Sequence, residues 1–467
     1  MDDFFDHNEE NGDIQELLER FELMLKEGSH RFFDIEEYED LIDHYLQHSE
    51  LKMANKALNI GMEQYPTSTG LLIRQAQLLM SSDKVEKALS ILSRIENIDP
   101  TNTDVFITKG AIYSKLHRYD DAIREYNKAI NDHEDLANIY TNIAYEYQNL
   151  NKYDKAIEYI KKVIELEPEN EGMLNELSFC YEMSEQHEES VAFFNSFLDK
   201  HPYSENGWFN LGLAYNEIEL YEKAVESYDF AIAINPNFTW AFYNKATSYS
   251  NMGFYQKAIE TYKDSFEIET PDAIIYYFIG ECYEKLSNYK VAIEYFKKAT
   301  QIDKTLADAW IGMGVAYEEL DDIKSALRFV KKGLSLNPAN PEYLATLATI
   351  QQHAGLYDDA SESYALSVKY DPNDPDVWLD FSAMHAELDE YGTALQILEL
   401  GISAQPDNLM LQIRKVAYLY LMGKPKKAYD QLNNVLAIES VNLDSLWEYA
   451  PFLINDTIIM EMISDRK

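Results

Sequence analysis

Cysteine and positive charge are both scarce in this chain. Of its 467 residues only Cys180 and Cys282 are cysteine, and 40 Lys or Arg face 82 Asp or Glu, a formal net charge of −42. Such a deficit works against nucleic acid, whose binding rests on Lys and Arg neutralising phosphates, and against an anionic membrane surface. No uncharged apolar run approaches the ~20 residues that a membrane-spanning helix needs. The acidic start, Met1 to Asp13, lacks the basic and apolar regions of a secretory signal, so a soluble, cytoplasmic chain is expected. No Gly/Ser/Pro-rich linker breaks the sequence. Chemistry-bearing motifs are missing too: nothing matches G-x-x-x-x-G-K-S/T, G-x-S-x-G, H-E-x-x-H or C-x-x-C. Gly312-Met313-Gly314 has two glycines of a dinucleotide loop but falls in a predicted helix with no strand before it. His44 and His48, four apart beside Asp43, suit a metal, yet no third ligand is apparent. No catalytic residue, metal or cofactor is expected.

What the chain does have is one pattern repeated. In Glu205 to Phe238, Trp208, Leu211, Gly212 and Tyr215 fall on one face of a first helix, and Ala224, Tyr228 and Ala231 on one face of a second. Asn235-Pro236 ends the hairpin, because proline restricts the residue before it. The pattern returns every 34 residues without slipping, from starts at Ile35, Thr69, Thr103, Ala137, Glu171, Glu205, Thr239, Ala273, Ala307, Pro341, Pro375 and Leu409. Position 20 of every unit is alanine, or serine at Ser190, so a close helix contact is expected there. Position 32 is proline in eight units. Glu134, Thr270 (with Pro271 next), Lys304 and Ser440 stand there in the others, and those turns are the less regular ones. Tyrosine recurs at position 17, as in Tyr119, Tyr153, Tyr221, Tyr255 and Tyr289, where packing is the expected role. Cys180 and Cys282 both hold position 10, three units apart. With helix axes ~8–10 Å apart they lie too far apart for a disulfide, which needs α-carbons within ~7 Å, so two free, buried thiols are expected.

With Trp, Leu-Gly, Tyr, Ala, an aromatic, Ala and Pro at positions 4, 7 and 8, 11, 20, 24, 27 and 32, the unit resembles the tetratricopeptide repeat. The resemblance implies an all-α fold, a right-handed α-solenoid of helix-turn-helix repeats. Four segments are expected: an acidic tail over 1–12, a capping helix over 13–34 with Arg20 where the family has alanine, twelve repeats over 35–442, and C-terminal capping helices over 443–467. It also implies a non-enzymatic scaffold that binds a peptide or partner protein in a concave groove lined by positions 2, 6, 9 and 13 of the first helices. Structural self-association through the terminal caps is the alternative. The family's carboxylate clamp, Lys at position 5 with Asn at position 9, is absent from every unit. Asn142, Asn210 and Asn244 at position 6 resemble the asparagine ladder of some members, where an amide both donates to and accepts from a peptide backbone. Asn138 and Asn206 are also explained as helix-start caps, and Asn149 and Asn251 as helix ends. Tyr145, Phe179, Phe209, Trp240, Tyr243 and Phe278 surround the three amides. Glu36, Asp40, Asp43, Asp104, Asp308, Asp376 and Asp380 lie on the non-core face of first helices, so the groove ends are expected to prefer a basic ligand. A monomer with a protein or peptide partner is expected, with homo-oligomers through the caps as the other possibility.

Overall fold

The computed structural model describes residues 3–28, 31–130, 135–437 and 444–464. Among these the secondary structure is helical throughout, with no strand. The chain divides at Pro236 and Asn237 into two compact units. Each is an α-solenoid of antiparallel helix pairs whose first helices include Ile35–Gln47, Thr69–Ser81, Glu171–Met183 and Glu205–Glu217 in the first unit, and Ala273–Lys285, Ala307–Glu318 and Pro375–Glu387 in the second. Within each unit several successive first helices pack on one another, as Glu171–Met183 does on Glu205–Glu217. No pair of second helices among the described residues packs to a comparable extent. Elements drawn closer together lie on the inside of a curve, so the first helices line the inner face of each unit.

Small side chains set the pairing distance. Ala54, Ala88, Ala122, Ala156, Ala224, Ala258, Ala292, Ala326, Ala360, Ala394 and Ala428 are all 0% exposed, and Ser190 is 4%. At position 8, Gly212 lies directly against the ring of Tyr228, and Gly280 is so close to Phe296 that a β-carbon would sit 2.6 Å from the ring. Glycine is needed at both for close approach.

The hydrogen-bonding plan also repeats. The indole N–H of Trp208 donates to the carbonyl of Pro202 at 2.9 Å, that of Trp378 to Pro372 at 3.0 Å, and that of Trp310 to Lys304 at 3.1 Å. Lys304 thus keeps the same carbonyl in place although the proline is missing. The Thr270-Pro271 unit does differ: its second helix stops at Asp264 and a 3₁₀ turn, Ser265–Glu267, follows. Glu134 and Ser440 lie outside the described residues.

The turn inside each hairpin is left-handed at position 15. Ser49, Asp83, His117, Asn151, Glu185, Glu219, Ser287, Asp321 and Asp389 have φ between 54° and 60°, and Gly253, Gly355 and Gly423 lie between 70° and 77°. The next N–H closes the turn on the first helix, as from Leu220 to the carbonyl of Tyr215 at 2.9 Å, which is a Schellman closure. A side chain with a β-carbon is strained in this region, whereas glycine is not. Glu219→Gly is therefore expected to raise stability by about 1 kcal/mol, read as a higher urea midpoint at unchanged slope. A fall in the midpoint would show that the Glu219 side chain holds the turn.

The ends depart from the expected boundaries. The first helix runs Asp3–Glu27, about three turns earlier than the apolar period that starts after Asp13. The residues before Asp13 carry no apolar period that would mark the helix in the sequence. Leu17, Phe21 and Met24 are buried against Phe33 and Tyr38, while Arg20 pairs with Glu37 and lies 4.5 Å over the Phe33 ring. At the other end Leu446, Ala450, Leu453 and Ile459 bury against Leu432, Val435 and Leu436. The hydroxyls of Tyr420 and Tyr429 donate to Asp456 at 2.9 and 2.8 Å.

Cys180 and Cys282 are free and buried. Burial pushes both thiols up to about 11, so the reactive thiolate is scarce near neutrality. Reaction with a thiol reagent at pH 7 is expected to be slow for the native chain, and fast for two thiols per chain in denaturant. Rapid native labelling would mean that these hairpins open readily.

Candidate functional site

The inner face of the first unit carries an aromatic patch. Tyr145 and Phe179 hold the same register on successive first helices and are 40% and 44% exposed. Phe179 meets Tyr153 edge-on at 6.1 Å, and Phe209 lies 5.9 Å from Tyr228. Gln148 donates to Glu176 at 2.8 Å beside them. Burial, and after it the Glu176 charge, holds the Tyr145 hydroxyl above its ordinary range.

The asparagines are engaged differently from the ladder expectation. Asn210 is 1% exposed, and its amide nitrogen donates to the Asn206 carbonyl at 2.8 Å and to Asn175 Oδ1 at 2.9 Å. Asn142 donates to the Asn138 carbonyl and to Asn138 Oδ1, both at 2.9 Å. Asn244 donates to the Trp240 carbonyl at 2.9 Å. In each case an amide donor returns to the carbonyl four residues back, a local competitor for any external acceptor. Asn175, at position 5, was not singled out by the pattern, because its partner comes from the next hairpin. Asn138 and Asn206 are not caps: Asp135 and Ser204 cap those helices. Asn149 and Asn251 do end theirs.

In the second unit Trp240 is 64% exposed with Tyr243 edge-on at 5.9 Å, and Phe278 stacks on Tyr262 at 6.1 Å. Beyond Phe278 the face turns acidic. Tyr277 donates to Glu281 at 2.6 Å, Asp308 accepts from Tyr343, and Glu284, Asp376 and Asp380 follow on the first helices. Burial raises Glu281 and Glu284 above the usual range; the Lys285 charge opposes it at both and the Tyr277 hydrogen bond at Glu281, and neighbouring carboxylates add to it more weakly. Among the described residues no Lys or Arg forms an ion pair with Glu281, Glu284, Asp308, Asp376 or Asp380. The first unit contrasts with this: Arg74 bridges Glu39 at 3.0 Å and Asp43 at 2.6 Å. Its acidic end is partly bridged internally, while Asp40 is still raised by burial and then by the Asp43 charge. Glu281 and Glu284 could have been found from the sequence by following positions 9 and 12 through the second unit.

The His44 and His48 rings are tilted against each other with centroids 4.2 Å apart, and His48 Nδ1 lies 2.9 Å from the His44 carbonyl. No group of three metal-ligating side chains occurs among the described residues, and no described helix is long and apolar enough to cross a membrane.

A solenoid of helix pairs with these packing positions defines an all-α repeat protein. Tetratricopeptide repeat profiles match residues 137–170, 206–238, 238–305, 283–350 and 321–388, and the chain is a tetratricopeptide-repeat protein. No curated protein matches the sequence. Among solved structures it is similar to the APC/C hetero-tetramer Cut9–Hcn1 (15% identity, TM-score 0.42, covering 84% of this chain and 89% of that one). It is also similar to YrrB, a tetratricopeptide-repeat protein with an unusual peptide-binding site (16%, TM-score 0.32, 38% and 93%). A third is TTC0263, a thermophilic tetratricopeptide-repeat protein of Thermus thermophilus (22%, TM-score 0.34, 39% and 98%). Such repeats support a role as a protein–protein interaction scaffold.

Proposed function

We propose that the chain is a non-enzymatic, cytoplasmic scaffold that binds a peptide or a segment of a partner protein on its first-helix faces, and that all twelve hairpins from Ile35 onward belong to one repeat family. The supporting observation is the exposure of Trp240, Tyr145 and Phe179 on these faces. Aromatic rings of this kind supply most of the affinity at interfaces. In the second unit the ligand carries an apolar residue for Trp240, Tyr243 and Phe278 and Lys or Arg for Glu281, Glu284 and Asp308. In the first unit Tyr145, Phe179 and Phe209 form a separate apolar contact, flanked by Asn142, with Asn210 and Asn175 fixing the spacing of the helices. Asn244 flanks Trp240 in the same way.

The test is a titration of the full chain with a labelled Lys/Leu peptide. Binding is expected to weaken between low salt and ~0.15 M, where the screening length is ~8 Å, and to fall by about tenfold in Trp240→Ala/Phe278→Ala. Binding untouched by both salt and the double variant would place the site elsewhere. Self-association is a second reading, favoured by Ile454, Ile458 and Met460, which are 49%, 47% and 42% exposed on the C-terminal cap. Light scattering at several concentrations decides: a constant monomer mass removes it.

A further inference from the structure

In a chain of net charge −42, the outer side of two hairpins of the second unit is basic. Lys290, Lys297 and Lys298 are exposed on the second helix Tyr289–Ile302, and Lys324, Arg328, Lys331 and Lys332 on the second helix Ile323–Leu336. Spacings of four, seven and eight residues put each set on one face of its helix, a stripe of about 12 Å at 1.5 Å per residue. The sets are in register, since Lys290, Lys297 and Lys298 precede Lys324, Lys331 and Lys332 by one 34-residue unit. Ile323–Leu336 contains no Asp or Glu, and its partner Ala307–Glu318 contains no Lys or Arg. Charge is therefore separated across one hairpin.

None of these seven cations forms an ion pair with a carboxylate among the described residues. Acids do lie close by: Asp322 feels the charges of Arg328 and Lys324, Glu294 falls within the first stripe, and the flanking second helices Tyr255–Asp264 and Tyr357–Tyr370 carry Glu260, Asp358, Asp359 and Glu362. Three cations rest on rings: Lys298 lies 4.4 Å over Tyr295, Arg328 4.3 Å over Phe329, and Lys297 6.0 Å over Tyr317. A ring contact steadies a cation by its face while its N–H donors stay available. Each stripe ends on an exposed aliphatic side chain, Ile302 at 55% and Leu336 at 36%.

We propose that this ridge is a docking surface for a short acidic segment of a partner protein, carrying Asp or Glu together with an aliphatic residue. Charge complementarity selects an anion, and Ile302 and Leu336 select one with apolar side chains. The surrounding charge selects a short one. At physiological salt the potential is local, within ~8 Å, so a segment lying on the ridge meets mainly its cations, with Glu294 the one acid set within the first stripe. A nucleic acid or a membrane extends well past it and meets the acidic surface on all sides. This inference concerns the opposite face from the groove and does not rest on the groove reading.

The experiment measures fluorescence anisotropy of a labelled Glu/Asp/Leu peptide, about three helical turns long, with the full chain. Saturable binding that weakens with salt is expected. Lys324→Glu/Arg328→Glu/Lys331→Glu/Lys332→Glu is expected to weaken it by at least about tenfold, and the milder change of the same four to Gln by less, with helicity unchanged in both. Lys426→Glu/Lys427→Glu, on another second helix, is expected to leave it unaltered. No binding, binding equal in the Gln and Glu variants and the parent, or tighter binding to an oligonucleotide or to phosphatidylserine vesicles would each overturn the proposal.

Discussion

Phe296→Ala is expected to cost about 3–5 kcal/mol, the range for removing a fully buried aromatic ring. Its 0% exposed ring is gripped between two first helices, since a β-carbon on Gly280 would come within 2.6 Å of it and one on Gly312 within 2.7 Å. Those glycines exist because the ring is there. In the parent, Gly280→Ala and Gly312→Ala should each destabilise through overpacking, by about 1–3 kcal/mol. In the Phe296→Ala background the same alanines enter the vacated space and gain helix propensity, about 1 kcal/mol each relative to glycine. The sign of the glycine substitutions therefore reverses, a coupling that additivity forbids. Hydrogen exchange of Ala273–Lys285 and Ala307–Glu318 in each variant reads it locally, which suits a solenoid whose stability is shared between neighbours. If the alanines destabilise equally in both backgrounds, the ring is not what demands glycine.

Replacing Glu281 and Glu284 together by glutamine is expected to stabilise the second unit at pH 7 and to weaken its binding of a Lys/Leu peptide. Both carboxyls are held above their ordinary range, first by burial. A folded-state value above the unfolded one means that the native state binds more protons between the two, so stability falls as pH rises through the raised value. The parent should accordingly gain stability as pH is lowered from 7 into the upper carboxylate range, and the double variant should gain less. Tyr277 can still donate to the glutamine oxygen, which keeps the local hydrogen bond. Gain of stability with loss of affinity is the signature of acids retained for a ligand at some cost to the fold. Thermal melts across that pH range, with peptide titrations at pH 7, check it. Equal peptide affinity in parent and variant would remove Glu281 and Glu284 from the binding face.

Much of the fold was legible because the contacts that make it are local and repeated. Ala224 sits at the same place as Ala54 and Ala428, and a position that is small in every hairpin can only be a close crossing. The face was less legible. Asn210 has the same place in its unit as Asn142 and Asn244, yet it is buried because Asn175 from the neighbouring first helix turns to meet it. Asp135 and Ser204 took the capping roles that proximity suggested for Asn138 and Asn206, since a cap stands just before the helix and accepts from the N–H three residues on. The left-handed turn at Glu185 or Glu219 was invisible, because glycine marks it in only three of the hairpins and a tight closure imposes it on the rest.

By itself the sequence determined the helical hairpin, its period and the small and aromatic packing positions, because each depends on residues at most one unit apart, and the two free thiols, because the unbroken period sets them three units apart. Only the tertiary structure decided which side chains are left facing outward. Exposure at Trp240, burial at Asn210, the Arg74 bridge to Asp43, and the cations of Ile323–Leu336 left without a carboxylate at ion-pair distance all depend on what the adjoining helix presents. A one-dimensional pattern cannot carry that, because each helix meets its neighbours through side chains whose reach and pairing are settled only when the backbones are in place.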